Sequence, residues 1–161
     1  MLSIFLFIIA IIATLIHIAL KKERDASGRV EVFLSYVVLF NVGFMCLIAA
    51  YAHVFMGPET AKSIGWAPGS PFQYEIGMAN LSYGVLGILA YRYRGGFRTA
   101  TIIGWSVLLI GCFIGHMINY HETGNTAPNN MGAYVWFNDL ILPVFLLYLL
   151  FWLNRRRDPR F

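Results

Sequence analysis

The chain has 161 residues, of which 58% are hydrophobic and 12% are charged, and its formal net charge is +4. Soluble domains carry charges on about a quarter of their residues, so this composition excludes an ordinary soluble protein and indicates an integral membrane protein. The basic residues lie in short blocks between apolar runs, where they orient membrane helices, and they therefore give no reason to expect a nucleic-acid partner.

Five apolar runs follow one another along the chain, each close to the ~20 residues that cross a hydrocarbon core. Basic residues follow the first run rather than precede it, and no small-residue cleavage site comes after it, so we interpret it as a retained helix. The sequence predicts an all-α fold, a polytopic membrane bundle of five transmembrane helices that forms a single domain over residues 1–161. The predicted spans are 1–20, 31–56, 71–91, 99–120 and 135–153.

The number of lysine and arginine residues alternates between high and low from one connection to the next. The first connection holds four of them, the second one, the third three, the fourth none and the C-terminal tail four. Because positively charged loops stay in the cytoplasm, this alternation predicts an N-terminus outside and a C-terminus in the cytoplasm.

The third span has a recognisable start. Ser70 is the predicted N-cap, Pro71 suits the first helical position, and Gln73 completes a Ser-x-x-Gln capping box. A helix that begins there carries Glu75 in its second turn. An ionisable side chain therefore lies inside a predicted membrane span.

Glycines recur at helical spacing in two of the spans. Gly77, Gly84 and Gly87 lie on one side of the third span. Gly104, Gly111 and Gly115 do so in the fourth, where Gly111 and Gly115 form a G-x-x-x-G motif. Small residues at such spacing let membrane helices approach closely. We therefore predict that both stripes are helix-packing faces.

Four ionisable side chains lie at a matched depth in spans two to five. Each is about four residues from the outer end of its span, which is roughly 6 Å at 1.5 Å per residue. A charge costs about 2.5–3.5 kcal/mol at the centre of a spanning helix, so these groups need a reason to be there. We predict that they share a polar cavity in the outer half of the bilayer; the alternative is that each reaches separately for interfacial water. The four are His53, Glu75, His116 and Asp139.

Three amides accompany these groups. Asn119 follows His116 by three residues and shares its side of the helix. Asn138 adjoins Asp139, and Asn80 adds an amide to the third span. We predict that the three amides contact a bound ligand or cofactor.

Three kinds of chemistry fit this set of side chains. His53, Glu75, His116 and Asp139 together could ligate a divalent metal, since Zn and Fe accept histidine with carboxylate. The two histidines could instead be the axial ligands of a haem b. Without a cofactor, Glu75 and Asp139 would be the catalytic acid–base groups of an enzyme that acts on a lipid- or quinone-like molecule.

The run GWAPGSPFQYEIGMANLSYGVLGIL resembles the signature of an uncharacterised family of small bacterial multi-pass membrane proteins. The resemblance implies a bacterial or archaeal membrane, with a bacterial inner membrane as the expected location, and supplies no activity or catalytic residue. The alternatives to an enzyme are a small proton-coupled transporter or channel, and a haem-bearing or structural anchor subunit of a larger complex. The residues leave open which of these is right. The expected partners are membrane lipids, a lipid-like small molecule and further copies of the chain.

Overall fold

The computed structural model of the protein describes residues 2–22 and 25–157. Every regular element in these ranges is helical, so the all-α prediction is confirmed. In chain order the helices are α1 (Leu2–Lys21), α2 (Ala26–Phe55), α3 (Gly57–Ile64), α4 (Phe72–Arg92), α5 (Gly96–Thr123) and α6 (Pro128–Met131). They are followed by α7, which is continuous through three parts, Ala133–Val135, Trp136–Ile141 and Leu142–Arg157.

Four stretches of helix are long and apolar enough to cross a membrane, and they indicate an integral membrane protein. The predicted count of five spans is not supported. α4 has 21 residues but is not among the four, because Gln73, Glu75 and Asn80 lower its mean hydropathy. The four stretches are Leu2–Lys21, Ala26–Phe55, Gly96–Thr123 and Pro128–Arg156.

α1 begins beside the middle of α2 rather than beside its end. The Ser3 hydroxyl donates to Asn138 Oδ1 at 2.7 Å, and Asn41 Nδ2 donates to the Ser3 carbonyl oxygen at 2.8 Å. Asn41 lies about 21 Å from Phe55 along α2, at 1.5 Å per residue. The start of α1 therefore lies inside the bundle, and this placement gives no support to the predicted N-terminus outside.

Two of the long helices contain π-helical segments, Val38–Phe44 in α2 and Trp136–Ile141 in α7. Such segments are often found at functional sites. The first carries the buried side chain of Asn41 and the second that of Asp139. Pro143 follows the second segment, and because proline has no backbone N–H it cannot make the α-helical hydrogen bond to the carbonyl of Asp139.

α2 and α4 run antiparallel and pack through glycines. Gly87 lies against the backbone of Gly43, and Gly84 lies against the side chain of Leu47. Gly77 is buried against α2 in the same row. The predicted packing face of the third span is therefore confirmed.

The bundle has two unlike halves. We call the end that carries residues 92–98 the arginine end, and the end that carries residues 57–70 and 124–132 the cavity end. The arginine half is filled by a tight apolar cluster in which α2, α5 and α7 meet. Its most buried members include Leu34, Ile102 and Leu146.

A buried ion pair joins three helices at the arginine end. Arg98 is 3% exposed, and its Nη1 lies 2.7 Å from Glu31 Oε2. Its Nε also donates to the carbonyl oxygen of Ala90 at 3.1 Å. One guanidinium therefore ties the first turns of α2 and α5 to the last turns of α4.

Gly87→Ala should lower the thermal stability of the protein in detergent, because the new Cβ would meet the backbone of Gly43. Overpacking of this kind costs about 1–3 kcal/mol. Gly111→Ala is the matched control, since a Cβ there meets nothing within 4 Å. Thermal unfolding followed by circular dichroism compares the two. Equal Tm values would contradict the packing described here.

Glu31→Gln should also destabilise the fold, because Arg98 would keep its charge after losing the carboxylate beside it. Breaking a buried ion pair costs about 3–5 kcal/mol. The exposed Glu122→Gln is the control. In denaturant unfolding, the double variant Glu31→Gln/Arg98→Gln should lose less stability than the sum of the two single variants. Strictly additive losses would show that the two side chains are not coupled.

Candidate functional site

A cavity of about 1010 Å³ lies in the cavity half, between α2, α4, α5 and α7. Small-molecule sites have volumes of roughly 300–1,000 Å³, so this one is large enough for a bulky ligand. Apolar side chains such as Ile48, Ile76 and Leu108 form much of its wall. A polar cluster around His116 and Asp139 occupies one side.

His116 and Asp139 are brought together from α5 and α7. Their relative exposures are 9% and 6%, and His116 Nε2 lies 4.0 Å from Asp139 Oδ2. The other carboxylate oxygen of Asp139 accepts a hydrogen bond from Asn138 Nδ2 at 2.7 Å. A separation of 4.0 Å is too long for a direct hydrogen bond, but one ligand oxygen can lie within hydrogen-bond distance of both atoms.

Asn130 determines which nitrogen of His116 carries the proton. Its Nδ2 donates to the backbone carbonyl of Asn125 at 2.8 Å, so its Oδ1 is the atom that lies 2.8 Å from His116 Nδ1. An amide oxygen can only accept, and Nδ1 must therefore be protonated. In the neutral imidazole the lone pair is then on Nε2, the nitrogen next to Asp139 in this cavity.

Trp66 covers one face of the His116 ring. The two rings are stacked with their centroids 5.6 Å apart and an angle of 23° between their planes. Trp66 Nε1 donates to Asn119 Oδ1 at 3.1 Å. Asn119 lies outside the described lining of the cavity, and its side chain holds the indole of Trp66 in place.

The connecting segments 57–70 and 124–132, which include α3 and α6, contact each other beside His116 and Trp66. Gly65 ends α3 with φ +82°, a conformation that favours glycine, and a Cβ there would collide with the side chain of Asn125. Asn125 Nδ2 donates to the carbonyl oxygen of Ile64 at 2.8 Å. The position of Trp66, one residue after Gly65, is fixed by these contacts.

Two unpartnered polar atoms lie deeper in the cavity wall. Asn41 Oδ1 and Trp105 Nε1 are buried and have no hydrogen-bond partner among the described residues. Both residues line the cavity. An unsatisfied buried polar group costs about 1–3 kcal/mol, so these two atoms lower the stability of this part of the bundle.

The remaining predicted residues have different positions. His53 lines the same cavity, and its Nδ1 lies 2.7 Å from Gln73 Oε1. Asn80 also lines it, although its Nδ2 donates to the carbonyl oxygen of Ile76 at 2.9 Å. Glu75 is exposed and lies outside the described lining, because it is two residues from the buried Gln73 and so on the opposite side of α4.

The predicted metal site is not supported. The described residues contain no group of three or more histidine, cysteine, aspartate or glutamate side chains placed to hold a metal ion. His116 and Asp139 lie near each other, but Glu75 is exposed on another face of its helix and His53 bonds to Gln73.

Four polar residues of the site were not predicted, namely Ser3, Asn41, Trp105 and Asn130. Asn41 could have been found, since a single amide within a long apolar run needs a hydrogen-bond partner on another helix. Asn130 lies in an Asn- and Gly-rich segment that is typical of a surface loop, yet it is fully buried.

The sequence profile of a family described as "Family of unknown function (DUF6790)" matches residues 1–159. No curated protein and no solved structure shows significant similarity to the chain. The match spans nearly the whole chain but brings no activity and no site residue with it. The chemistry of the cavity therefore has to be argued from its own side chains.

In nitrogen-15 NMR of the histidine-labelled protein, neutral His116 should show a protonated Nδ1 and an unprotonated Nε2, because Asn130 Oδ1 accepts from Nδ1. Asn130→Ala should let the Nε2-protonated tautomer appear. The exposed His121 serves as the internal control, and its signals should not change. A neutral His116 protonated at Nε2 in the wild-type protein would contradict the assignment.

Proposed function

Because the chain belongs to the DUF6790 family, whose function is unknown, we propose a function from its geometry. The protein binds a lipid- or quinone-like molecule in the cavity, and His116 and Asp139 act on the polar end of that molecule as an acid–base pair. The observation that carries the proposal is the 4.0 Å approach of His116 Nε2 to Asp139 Oδ2 beside a large, mostly apolar cavity.

His116 is the proposed base. Its Nε2 lone pair can take a proton from a ligand O–H group, and the ionised Asp139 carboxylate would stabilise the imidazolium that forms. Asn130 accepts from Nδ1 both before and after the transfer, so the ring need not turn. Asp139 is held in turn by Asn138.

The surroundings of the pair favour such chemistry. Trp66 stacks on His116, and the apolar wall of α2 and α5 limits the water around the reacting atoms. Electrostatic interactions are stronger in such a setting than in water. A lipid-like ligand would itself complete the exclusion of water.

In the proposed topology, α4 crosses the membrane together with the four more apolar stretches. Its 21 residues give a length of about 32 Å, close to the ~30 Å of a hydrocarbon core. We expect the arginine end, which carries Arg92, Arg94 and Arg155, to lie in the cytoplasm by the positive-inside rule. The cavity end then faces outward, across what we propose to be a bacterial inner membrane.

The same observations weigh against a transport pathway. In the described residues, the apolar cluster of Leu34, Ile102 and Leu146 fills the arginine half below the cavity. A haem-bearing subunit is the second candidate, because His53 and His116 line one cavity and each uses Nδ1 to bond an amide. Histidines that ligate a metal through Nε2 are commonly held in this way.

Native mass spectrometry of the protein purified in mild detergent should detect a bound amphiphile that is missing from Ala49→Trp, because the indole would project from the cavity wall into the space that the ligand occupies. Asp139→Asn and His116→Gln should each weaken its retention by about tenfold. The exposed His121→Gln is the matched control and should retain it.

Identical bound molecules in the wild-type protein and in Ala49→Trp would contradict the proposed function. The absorbance spectrum of the same samples tests the second candidate. A Soret band that is abolished both by His116→Gln and by His53→Gln would show that the ligand of the cavity is haem and not an amphiphile.

A further inference from the structure

The cavity reaches the lipid-facing surface of α5. Val107, Gly111 and Gly115 are exposed, line the cavity and follow one another at four-residue spacing along one stripe of the helix. A Cβ added at either glycine would meet nothing within 4 Å. The packing predicted for this G-x-x-x-G motif is therefore not made within the described fold, and the glycines instead leave the side of the cavity open.

α4 forms the facing wall of this opening. Toward the arginine end the two helices touch, with the hydroxyl of Tyr83 lying against Gly104. Nearer the cavity end, Phe72 and Ile76 of α4 line the cavity opposite α5. α4 and α5 therefore diverge from their contact at Tyr83, and the cavity occupies the wedge between them.

The charges of the cavity select against an anionic ligand. Its carboxylates are Glu59 and Asp139, and its described lining includes no lysine or arginine. Phosphate groups are bound in proteins by arginine, lysine or clusters of N–H donors. A phospholipid head group would meet two acids here without a strong cation to pair with.

The hydrogen-bonding atoms define the head group further. His116 Nε2 carries a lone pair in the neutral imidazole, and Asp139 Oδ2 is an acceptor when ionised. Both atoms accept, so the ligand has to donate to at least one of them. A hydroxyl group has one proton, which it donates to one of the two atoms, and it brings no charge into the bundle.

We propose that the ligand is an uncharged, long-chain amphiphile with a hydroxyl head, such as an alkyl alcohol or a quinol, and that it enters sideways from the lipid between α4 and α5. Its head lies between His116 and Asp139, and its chain follows the stripe of Val107, Gly111 and Gly115. This inference rests on the proposed function, of which it specifies the ligand class and the route of entry.

Cys112 lines the cavity as a free thiol, and its reactivity can report both the class of ligand and the route of entry. In a Cys46→Ala background reconstituted into lipid nanodiscs, the rate at which a maleimide modifies Cys112 measures access to the cavity. Hexadecanol should slow the reaction about tenfold, whereas hexadecyl phosphate, with the same chain and an anionic head, should leave it unchanged. Equal or better protection by the phosphate, or stronger protection by hexadecylamine than by the alcohol, would overturn the uncharged head group.

The route of entry is tested with a maleimide that is soluble in lipid. Gly111→Leu should slow the lipid-soluble reagent about tenfold, because the new side chain would occupy the opening. The matched control Ile114→Leu, on the lipid-facing surface of α5 outside the described lining, should not. Ser63→Trp, at the loop side of the cavity, should not slow it either. Thermal unfolding verifies that each variant is folded, and Gly115→Leu provides a second test of the opening.

Side entry can fail while the proposed function stands. Side entry is overturned if Ser63→Trp slows the lipid-soluble reagent while Gly111→Leu and Gly115→Leu do not. It is also overturned if Gly111→Leu converts a dimer into a monomer, because the stripe would then be a contact between copies. If none of the three amphiphiles protects Cys112, the proposed function fails together with this inference.

Discussion

A carboxylate buried in an apolar bundle has to be surrounded by hydrogen-bond partners, and the cavity half of this protein is organised around that requirement at Asp139. Asn138 donates to Asp139 and is held by Ser3, which also accepts a hydrogen bond from Asn41. The chain of contacts brings α1, α2 and α7 to one point. Both π-helical segments contribute to it, the first with Asn41 and the second with Asn138 and Asp139.

The two halves of the bundle differ in how completely their interiors are packed and hydrogen-bonded. The arginine half is closed by apolar packing and by one buried ion pair. The cavity half keeps an empty volume, an imidazole with a defined tautomer and two polar atoms without partners. Strain and unmade hydrogen bonds are tolerated where the neighbouring half already holds the helices together, and such places are where function is usually found.

The sequence predicted the parts of this structure that depend on local pattern. Apolar runs gave the all-α fold, and glycine spacing gave the face of α4 that packs on α2. Counting depth from the helix ends brought His53, His116 and Asp139 to one cavity. Glu75 satisfied the same count, but depth says nothing about rotation, and the packing of Gln73 and Gly77 against α2 turns it outward. Asn130 reaches His116 from the short helix α6, and the fold of that connection follows from no period or spacing in the sequence.

The contact between Gly43 and Gly87 holds α2 and α4 together as a rigid pair. Their backbones touch there, so a shift of one helix along the other would bring side chains into collision. α5 is joined to that pair at Gly95, which has φ +66°, and is pinned there by Arg98. The contact of Tyr83 with Gly104 is the narrow end of the wedge. Gly115 lies about 16 Å along α5 from Gly104, so each additional tilt of about 5° between α4 and α5 would widen the gap at Gly115 by roughly 1.4 Å. The width of the gap therefore follows from the angle between the two helices and from the contacts of Asn119 and His116 that hold the far end of α5.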